Sequence, residues 1–316
     1  MKQLLARRMR ALVNKPEYWF QPRQVVRKIC RQSSARSMSA SATVRLPWGT
    51  DLDVTPDDSI GRSLTTSGVY ELAVSETLWR LSDRGDTCLD IGANIGYMTS
   101  LLAVRVGPAG TVYSFEPHPR VFLRLQTNLQ NDRHAIPRRE HARVVLIQSA
   151  IGADDCEVEL VEPECFETNQ SGASITNFAQ ERPVDARKHR VRLQRLDTLF
   201  HQAEKFEVVK IDVEGAELAV LQGAEKLLAG RKIRDIVFED FQPFPSECVR
   251  LLKHHGYHIC RLGKALLGPT TWDPSKPQAL DRSLPWEPVN YVASLDPDRA
   301  NIRLLPRGWH CLKARH

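Results

Sequence analysis

Nowhere in the 316 residues does an apolar run approach the ~18 residues that a bilayer-crossing helix needs, so a transmembrane helix is not expected. The first residues also lack an apolar stretch followed by a small-residue cleavage site, which argues against export by the usual signal. Cysteine is sparse. The seven (Cys30, Cys88, Cys156, Cys165, Cys248, Cys260 and Cys311) are scattered and never form a CxxC pair. That spacing suits neither a disulfide framework nor a zinc site and fits a reducing compartment, so a cytoplasmic protein is expected and no metal is called for. No repeat of solenoid period is present. With 42% hydrophobic residues, collagen-like and disordered chains are excluded, and one large α/β domain with extensions is the fitting class.

The net charge of +6 is unevenly spread. Residues 1–37 hold ten Lys/Arg against the single acid Glu17, a net of +9, which leaves the rest of the chain at −3. A slightly acidic body is a poor nucleic-acid footprint whatever the overall balance, which argues against a nucleic-acid partner. The basic arm itself reads as a solvated tail, a membrane-surface helix giving peripheral contact, or an organelle-targeting peptide. It runs into a Ser/Ala-rich linker, Ser33 to Thr43. The organisation expected is an arm and linker (1–45), a lead-in hairpin and helix (46–85), a catalytic domain (86–295) carrying a proline-rich insertion (263–288), and a tail (296–316).

From Thr87 onward the pattern is strand, turn, helix, repeated. Strands are expected at Thr87–Ile91, Thr111–Phe115, Arg143–Ile147, Phe206–Ile211 and Asp235–Phe238, and helices at Ile95–Val106, Pro119–Gln130, Ala216–Leu228 and Ser246–His255. Shorter strands, Glu157–Leu160 and Val191–Leu193, flank a polar loop, and Tyr257–Leu262 and Val289–Ser294 close the chain. Alternating βα units give a parallel sheet covered on both faces. Pro269, Pro274, Pro277, Pro285 and Pro288 crowd the last connection, which is therefore expected to be an irregular, semi-rigid loop.

Ligands of such a sheet bind beyond the carboxyl ends of the strands. There the chain places Asp90, Gly92, Asn94 and Gly96 (DIGANIG), Glu116 (FEPHP), Asp212 and Glu214 (KIDVEGAE), then Glu239 and Asp240 (FED). This acidic rim separates two cofactors. A dinucleotide brings a pyrophosphate, which carboxylates repel and which usually meets a GxGxxG turn. S-adenosylmethionine instead brings a sulfonium and an ammonium, which Asp90 and Asp212 would attract. Glu116, 24 residues after Gly92, suits the hydroxyls of a ribose in either case.

On these residues the sequence resembles the FkbM family of class I S-adenosylmethionine-dependent methyltransferases. The matching stretches are LDIGANIGYMTSLLA, VYSFEPHPRVFLRLQTNLQND, SAIG, RLDTLF and VVKIDVEGAELAVLQGAEKLL followed by IVFED. The resemblance spans roughly residues 86–260. It implies a Rossmann-like fold with a seven-stranded, mostly parallel sheet whose last strand is antiparallel. It also implies O-methylation of a hydroxyl on a sugar, glycolipid, polysaccharide or natural product. The rival readings are an RNA methyltransferase served by the basic arm and a non-catalytic scaffold of the same fold.

Asp90, Gly92, Asn94, Gly96, Glu116 and Asp212 are thus the expected cofactor contacts, with Gly92 and Gly96 read as more than turn formers and Asn94 also placed to cap the following helix. Asp212, and after it Glu239, are the candidates for general base or orienting acceptor. Glu214 and Glu217 read equally well as first-turn acids that complement a helix dipole. His118 reads equally as surface or contact. The stretch Pro269–Pro288 is either a lid, with Trp272 and Trp286 against a sugar ring, or a static cover.

Overall fold

The computed structural model describes residues 16–17, 41–130, 140–162, 166, 174–175, 187–201, 204–276 and 289–312. Nearly all of the basic arm, most of the polar loop after Val161 and the stretch holding Pro277, Pro285, Trp286 and Pro288 therefore lie outside the described residues.

The first ordered element is an antiparallel hairpin, β1 (Ala42–Arg45) with β2 (Asp51–Val54), in which Val44 stands opposite Leu52. Its first strand takes up the end of the expected linker, because Thr43 and Val44 are β-branched and find a partner strand. Helix α1 (Ser59–Ser67) follows, with the Asp58 carboxylate accepting the N–H of Ile60 at its start, and then α2 (Leu72–Leu81).

The βα succession then builds the main sheet: β3 (Thr87–Ile91), α3 (Tyr97–Val106), β4 (Thr111–Phe115), α4 (Pro119–Gln130) and β5 (Arg143–Ile147). Next comes a separate small sheet of β6 (Ala150–Ile151), β7 (Cys156–Val161), β8 (Ser174–Ile175) and β9 (Lys188–Gln194), in the order β6-β9-β7-β8. Strand β9 begins at Lys188, inside the expected polar loop, because its residues pair antiparallel with β7. The chain returns through α5 (Leu196–Leu199), β10 (Phe206–Ile211), α6 (Glu217–Gly223), α7 (Glu225–Ala229), β11 (Ile233–Asp240) and α8 (Glu247–His254). It ends with β12 (His258–Ala265), β13 (Gly268–Trp272), β14 (Val289–Ser294) and α9 (Pro297–Leu304).

The main sheet has eight strands rather than seven, in the order β13-β12-β14-β11-β10-β3-β4-β5. Strands β11, β10, β3, β4 and β5 are parallel, and β14 lies antiparallel between β11 and β12. The extra strand is β13, at the start of the expected irregular loop. Pro269 is tolerated there because β13 is an edge strand whose outer side needs no ladder hydrogen bond. Trp272 stands opposite Arg261 on this edge and lies 5.4 Å from its guanidinium.

Two apolar layers sandwich the sheet. Cys88 faces a layer that contains α2, α3, the hairpin residue Trp48 and the terminal Trp309, whereas Leu89 and Ile91 face α6 and α8. The winding reverses between β3 and β10. The crevice at their carboxyl ends is therefore where this architecture places a ligand.

Candidate functional site

A cavity of about 270 Å³ opens at that crevice. Its floor is the turn after β3. Gly92 has a left-handed backbone (φ 80), and a Cβ on it would come within 1.8 Å of the Asp212 carbonyl. Only glycine lets the ends of β3 and β10 approach so closely. Gly96 is equally constrained but points elsewhere: its missing Cβ makes room for Leu125 of α4, at 2.8 Å. Gly96 thus packs the helix and does not line the cavity.

The amide groups of this turn are all engaged within the protein. Those of Gly92 and Ala93 donate to the Phe115 carbonyl, and that of Gly96 to the Ala93 carbonyl. Asn94 N–H donates to Glu116 Oε2 at 3.0 Å, and Ile95 N–H to Asn94 Oδ1 at 2.7 Å. The helix accordingly starts at Tyr97, two residues later than expected, and Asn94 braces the turn ahead of it. The amides of residues 92–96 are therefore not open to a pyrophosphate, which adds to the charge argument against a dinucleotide.

Glu116, at the end of β4, is buried and accepts one amide on each oxygen, from Asn94 and from His118 (2.8 Å). Burial lifts its pKa to about 7 against the pull of these two bonds. Each oxygen keeps a lone pair, the right equipment for a pair of ribose hydroxyls.

The opposite end is a wall of carboxylates: Glu71, Asp212, Glu214 and Glu239 all line the cavity. Burial is the first cause of the raised values of Glu71 (about 8), Glu214 (about 7) and Glu239 (about 10), and the Asp212 charge is the second. Lys210 is the only Lys or Arg among the described lining residues. It stands opposite Asp90 in the β10–β3 ladder. Its Nζ donates to the Gly92 carbonyl at 2.8 Å and lies 3.2 Å from Asp212 and 3.4 Å from Asp90. Burial opposes the charge on Lys210, yet Asp212, Asp90 and Glu71 together hold its ammonium above the ordinary lysine range.

Asp90 itself is fully buried behind the turn, where Thr99 Oγ1 donates to it at 2.6 Å. It does not line the cavity. The ammonium beside it is that of Lys210, at 3.4 Å. Asp240 also turns away, accepting from the Ser246 hydroxyl and the Gln242 amide. Glu217 is a bracket for its loop, its Oε1 taking the amides of Val213 and Gly215.

The lead-in, expected to stand apart from the chemistry, supplies part of the wall. Tyr97 Oη accepts the Tyr70 amide at 3.0 Å and lies 3.2 Å from Ser75 Oγ, while Trp48 of the hairpin packs edge-on at 5.1 Å behind the same ring. This brace delivers Tyr70 and Glu71 to the cavity. Sequence reasoning missed Lys210 and Glu71. The first had a signal, a lone charge inside the apolar strand VVKI that burial obliges to pair. The second had none, because only the tertiary approach of α2 brings it to β10.

His118 resolves as a buried contact. It lines the cavity, and its Nε2 and that of His189 both meet Glu162 Oε1, at 3.0 and 2.8 Å. Among the described residues these three form a group of metal-ligand type. The Val121 amide, however, donates to His118 Nδ1, which puts the ring proton on Nε2, facing Glu162. A metal-bound imidazole has the reverse polarity, so in this arrangement His118 donates to Glu162.

The residues present fit S-adenosylmethionine: a ribose acceptor at one end and a carboxylate wall for a cationic group at the other. No curated protein sequence matches the chain. The folds found among solved structures include a precorrin-6y C5,15-methyltransferase from Geobacter metallireducens (16% identity, 71% of this chain and 87% of that one, TM-score 0.37). They also include an rRNA methylase from Streptococcus thermophilus (11%, 70% and 92%, TM-score 0.37). A third is fibrillarin from Aeropyrum pernix with natively bound S-adenosyl-L-methionine (17%, 82% and 95%, TM-score 0.35). Among the described residues no helix is long and apolar enough to cross a membrane. The methyltransferase FkbM domain matches residues 90–259, more than half of the chain. The chain belongs to the FkbM family of S-adenosylmethionine-dependent methyltransferases.

Proposed function

We propose that the protein transfers a methyl group to a hydroxyl of a sugar, glycolipid, polysaccharide or natural product. The observation that carries this reading is the cavity lining: among the described residues, one lysine, already held by two carboxylates and a carbonyl, and no other Lys or Arg. A polyanionic acceptor such as RNA needs basic groups beside the reacting centre. A neutral hydroxyl does not. Phe241, 56% exposed on the rim, supplies an apolar face on which a sugar ring can rest.

When bound, S-adenosylmethionine supplies an electrophilic methyl group on a positively charged sulfur. The protein's own part is placement and exclusion of water. Glu116 takes the ribose hydroxyls. Asp212, fixed by Lys210 at 3.2 Å, offers a carboxylate oxygen to orient the acceptor hydroxyl and receive its proton late in the step. Glu239, raised to about 10, holds its proton at neutral pH and is a hydrogen-bond donor there.

The test is to incubate the purified protein with methyl-labelled S-adenosylmethionine and with host glycolipids, polysaccharides, small metabolites and RNA. Label in a hydroxyl-bearing carbohydrate or metabolite supports the proposal, and label in RNA alone overturns it. Glu116→Ala removes a charged acceptor and is expected to weaken cofactor binding ten-fold to a hundred-fold, about 1.5 to 3 kcal/mol, by calorimetry. Unchanged affinity would take Glu116 out of the site.

A further inference from the structure

Glu71 stands outside the segment that matches the family, 90–259, yet it lines the cavity at the carboxylate wall. Its backbone is left-handed (φ 40, ψ 60), a conformation that residues other than glycine adopt under constraint and that gathers at functional sites. The structure enforces it from behind, through the Tyr70 amide on Tyr97 Oη. The charged and titratable groups around Glu71 are Tyr70 of the lead-in, Tyr97 of α3, Lys210 and Asp212 at the end of β10, Glu214 after it and Glu239 of β11. Four carboxylates thus face a single ammonium, and that ammonium is already shared with Asp90. Such a wall is short of positive charge, and the missing charge is what a cationic ligand brings.

We propose that Glu71 is a cation-binding residue of the cofactor site, which reads the sulfonium charge that separates S-adenosylmethionine from its demethylated product, S-adenosylhomocysteine. The proposal rests on the family assignment and adds a residue from outside the matched domain. Asp212 is committed to Lys210, and of the three other carboxylates in the wall Glu71 is the one that comes from outside the matched domain. Its raised value, about 8, has burial as first cause and Asp212 as second, so the free protein keeps a proton there at neutral pH. A fixed positive charge beside it favours the ionised form, and the proton leaves to the buffer. Loss of the sulfonium on methyl transfer reverses the balance: the wall takes a proton back and holds the product, which keeps its ammonium but has lost the sulfonium charge, less firmly.

The sign of the pH effect follows. Affinity for the cation is greatest where Glu71 is ionised. It therefore rises with pH until the free protein's own Glu71 ionises near 8. S-adenosylhomocysteine follows only the pH dependence that the two ligands share, such as that of Glu116 at the ribose.

Titration calorimetry with S-adenosylmethionine and with S-adenosylhomocysteine tests this, run between about pH 6 and 7.5 in two buffers of different ionisation enthalpy. Wild-type protein should release more protons on binding the sulfonium compound than on binding the product. Glu71→Gln should weaken S-adenosylmethionine about ten-fold or more and S-adenosylhomocysteine less than about two-fold, and should erase most of the difference in proton release. Glu71→Gly gives the same loss in a protein that melts no lower than wild type, since glycine suits the left-handed backbone. Equal losses for both ligands, no loss in either variant, or equal proton release in wild type would each overturn the proposal. Wild-type protein that binds neither compound would overturn the methyltransferase assignment itself.

Discussion

Glu71, at the N-cap of α2, and Glu76, in its middle, lie five residues apart, and their surroundings are opposite. Glu76 is fully buried with every need met. Its Oε1 accepts from Arg80 Nε at 2.6 Å and from the His310 amide at 2.8 Å, and its Oε2 accepts from the Cys311 amide at 2.8 Å. Arg80 in turn donates to the carbonyls of Leu304, Pro306 and Gly308, which fastens the chain terminus to α2. Glu71 instead faces other carboxylates across a cavity. A saturated buried charge builds the fold, and one left short of partners makes a site, because its remaining need can be met only by a ligand.

The largest effect comes from breaking the saturated side. Glu76→Ala strands the Arg80 charge and two tail amides, and a broken buried pair costs about 3 to 5 kcal/mol. Urea unfolding should show the loss, while cofactor affinity of the folded fraction stays at the wild-type value. A loss below about 1 kcal/mol would mean that the tail is held without this pair.

Next in size is the pH dependence of stability in the ligand-free protein. Glu71 and Glu239 have folded values of about 8 and about 10, raised first by burial and then by Asp212, against 4.5 for an ordinary glutamate. Between those limits the folded protein binds protons that the unfolded chain has released. The contribution is thus fully present below 4.5 and is lost as pH rises through the folded values. Denaturant midpoints should fall from pH 6 to 9, by at most about 1.4 kcal/mol per pH unit for each proton. Glu71→Gln and Glu239→Gln should each flatten that slope. A slope unchanged in both variants would place the titrating groups elsewhere.

The same contrast explains how much could be read from the chain. The βα alternation is legible because buried parallel strands are continuous apolar runs. Thr87–Ile91, Thr111–Phe115, Arg143–Ile147 and Phe206–Ile211 appear at their expected limits. The expected helix Ala216–Leu228 is broken at Ala224, which ends α6 and precedes α7. Strand β13 was hidden by Pro269, whose cost depends on whether a strand is central or at an edge, a property of the assembled sheet. Strand-end acids marked the cavity, since the fold delivers Glu116, Asp212 and Glu239 there by register alone. Which acids face inward depends on neighbours far along the chain: Thr99 claims Asp90, Ser246 claims Asp240, and the Tyr97 brace presents Glu71.

The smallest change in stability is expected at the hinge between the two kinds of charge. Asp212→Asn keeps the shape of the side chain and removes one of the two carboxylates beside Lys210. The ammonium is not stranded, because Asp90 remains at 3.4 Å and the Gly92 carbonyl at 2.8 Å. At the same time the like-charge pressure on Glu71, Glu214 and Glu239 is relieved, since Asp212 is the leading charge that raises all three. Loss and relief oppose each other, so the net change in unfolding free energy should stay within about 1 kcal/mol, the usual scale away from stranded groups. Methyl transfer should fall much further than stability, because the variant lacks the carboxylate placed to orient the acceptor hydroxyl. Unfolding curves and turnover with labelled S-adenosylmethionine, measured on one preparation, separate the two. A variant with full turnover across pH would remove Asp212 from the chemistry and leave it as a partner of Lys210 alone.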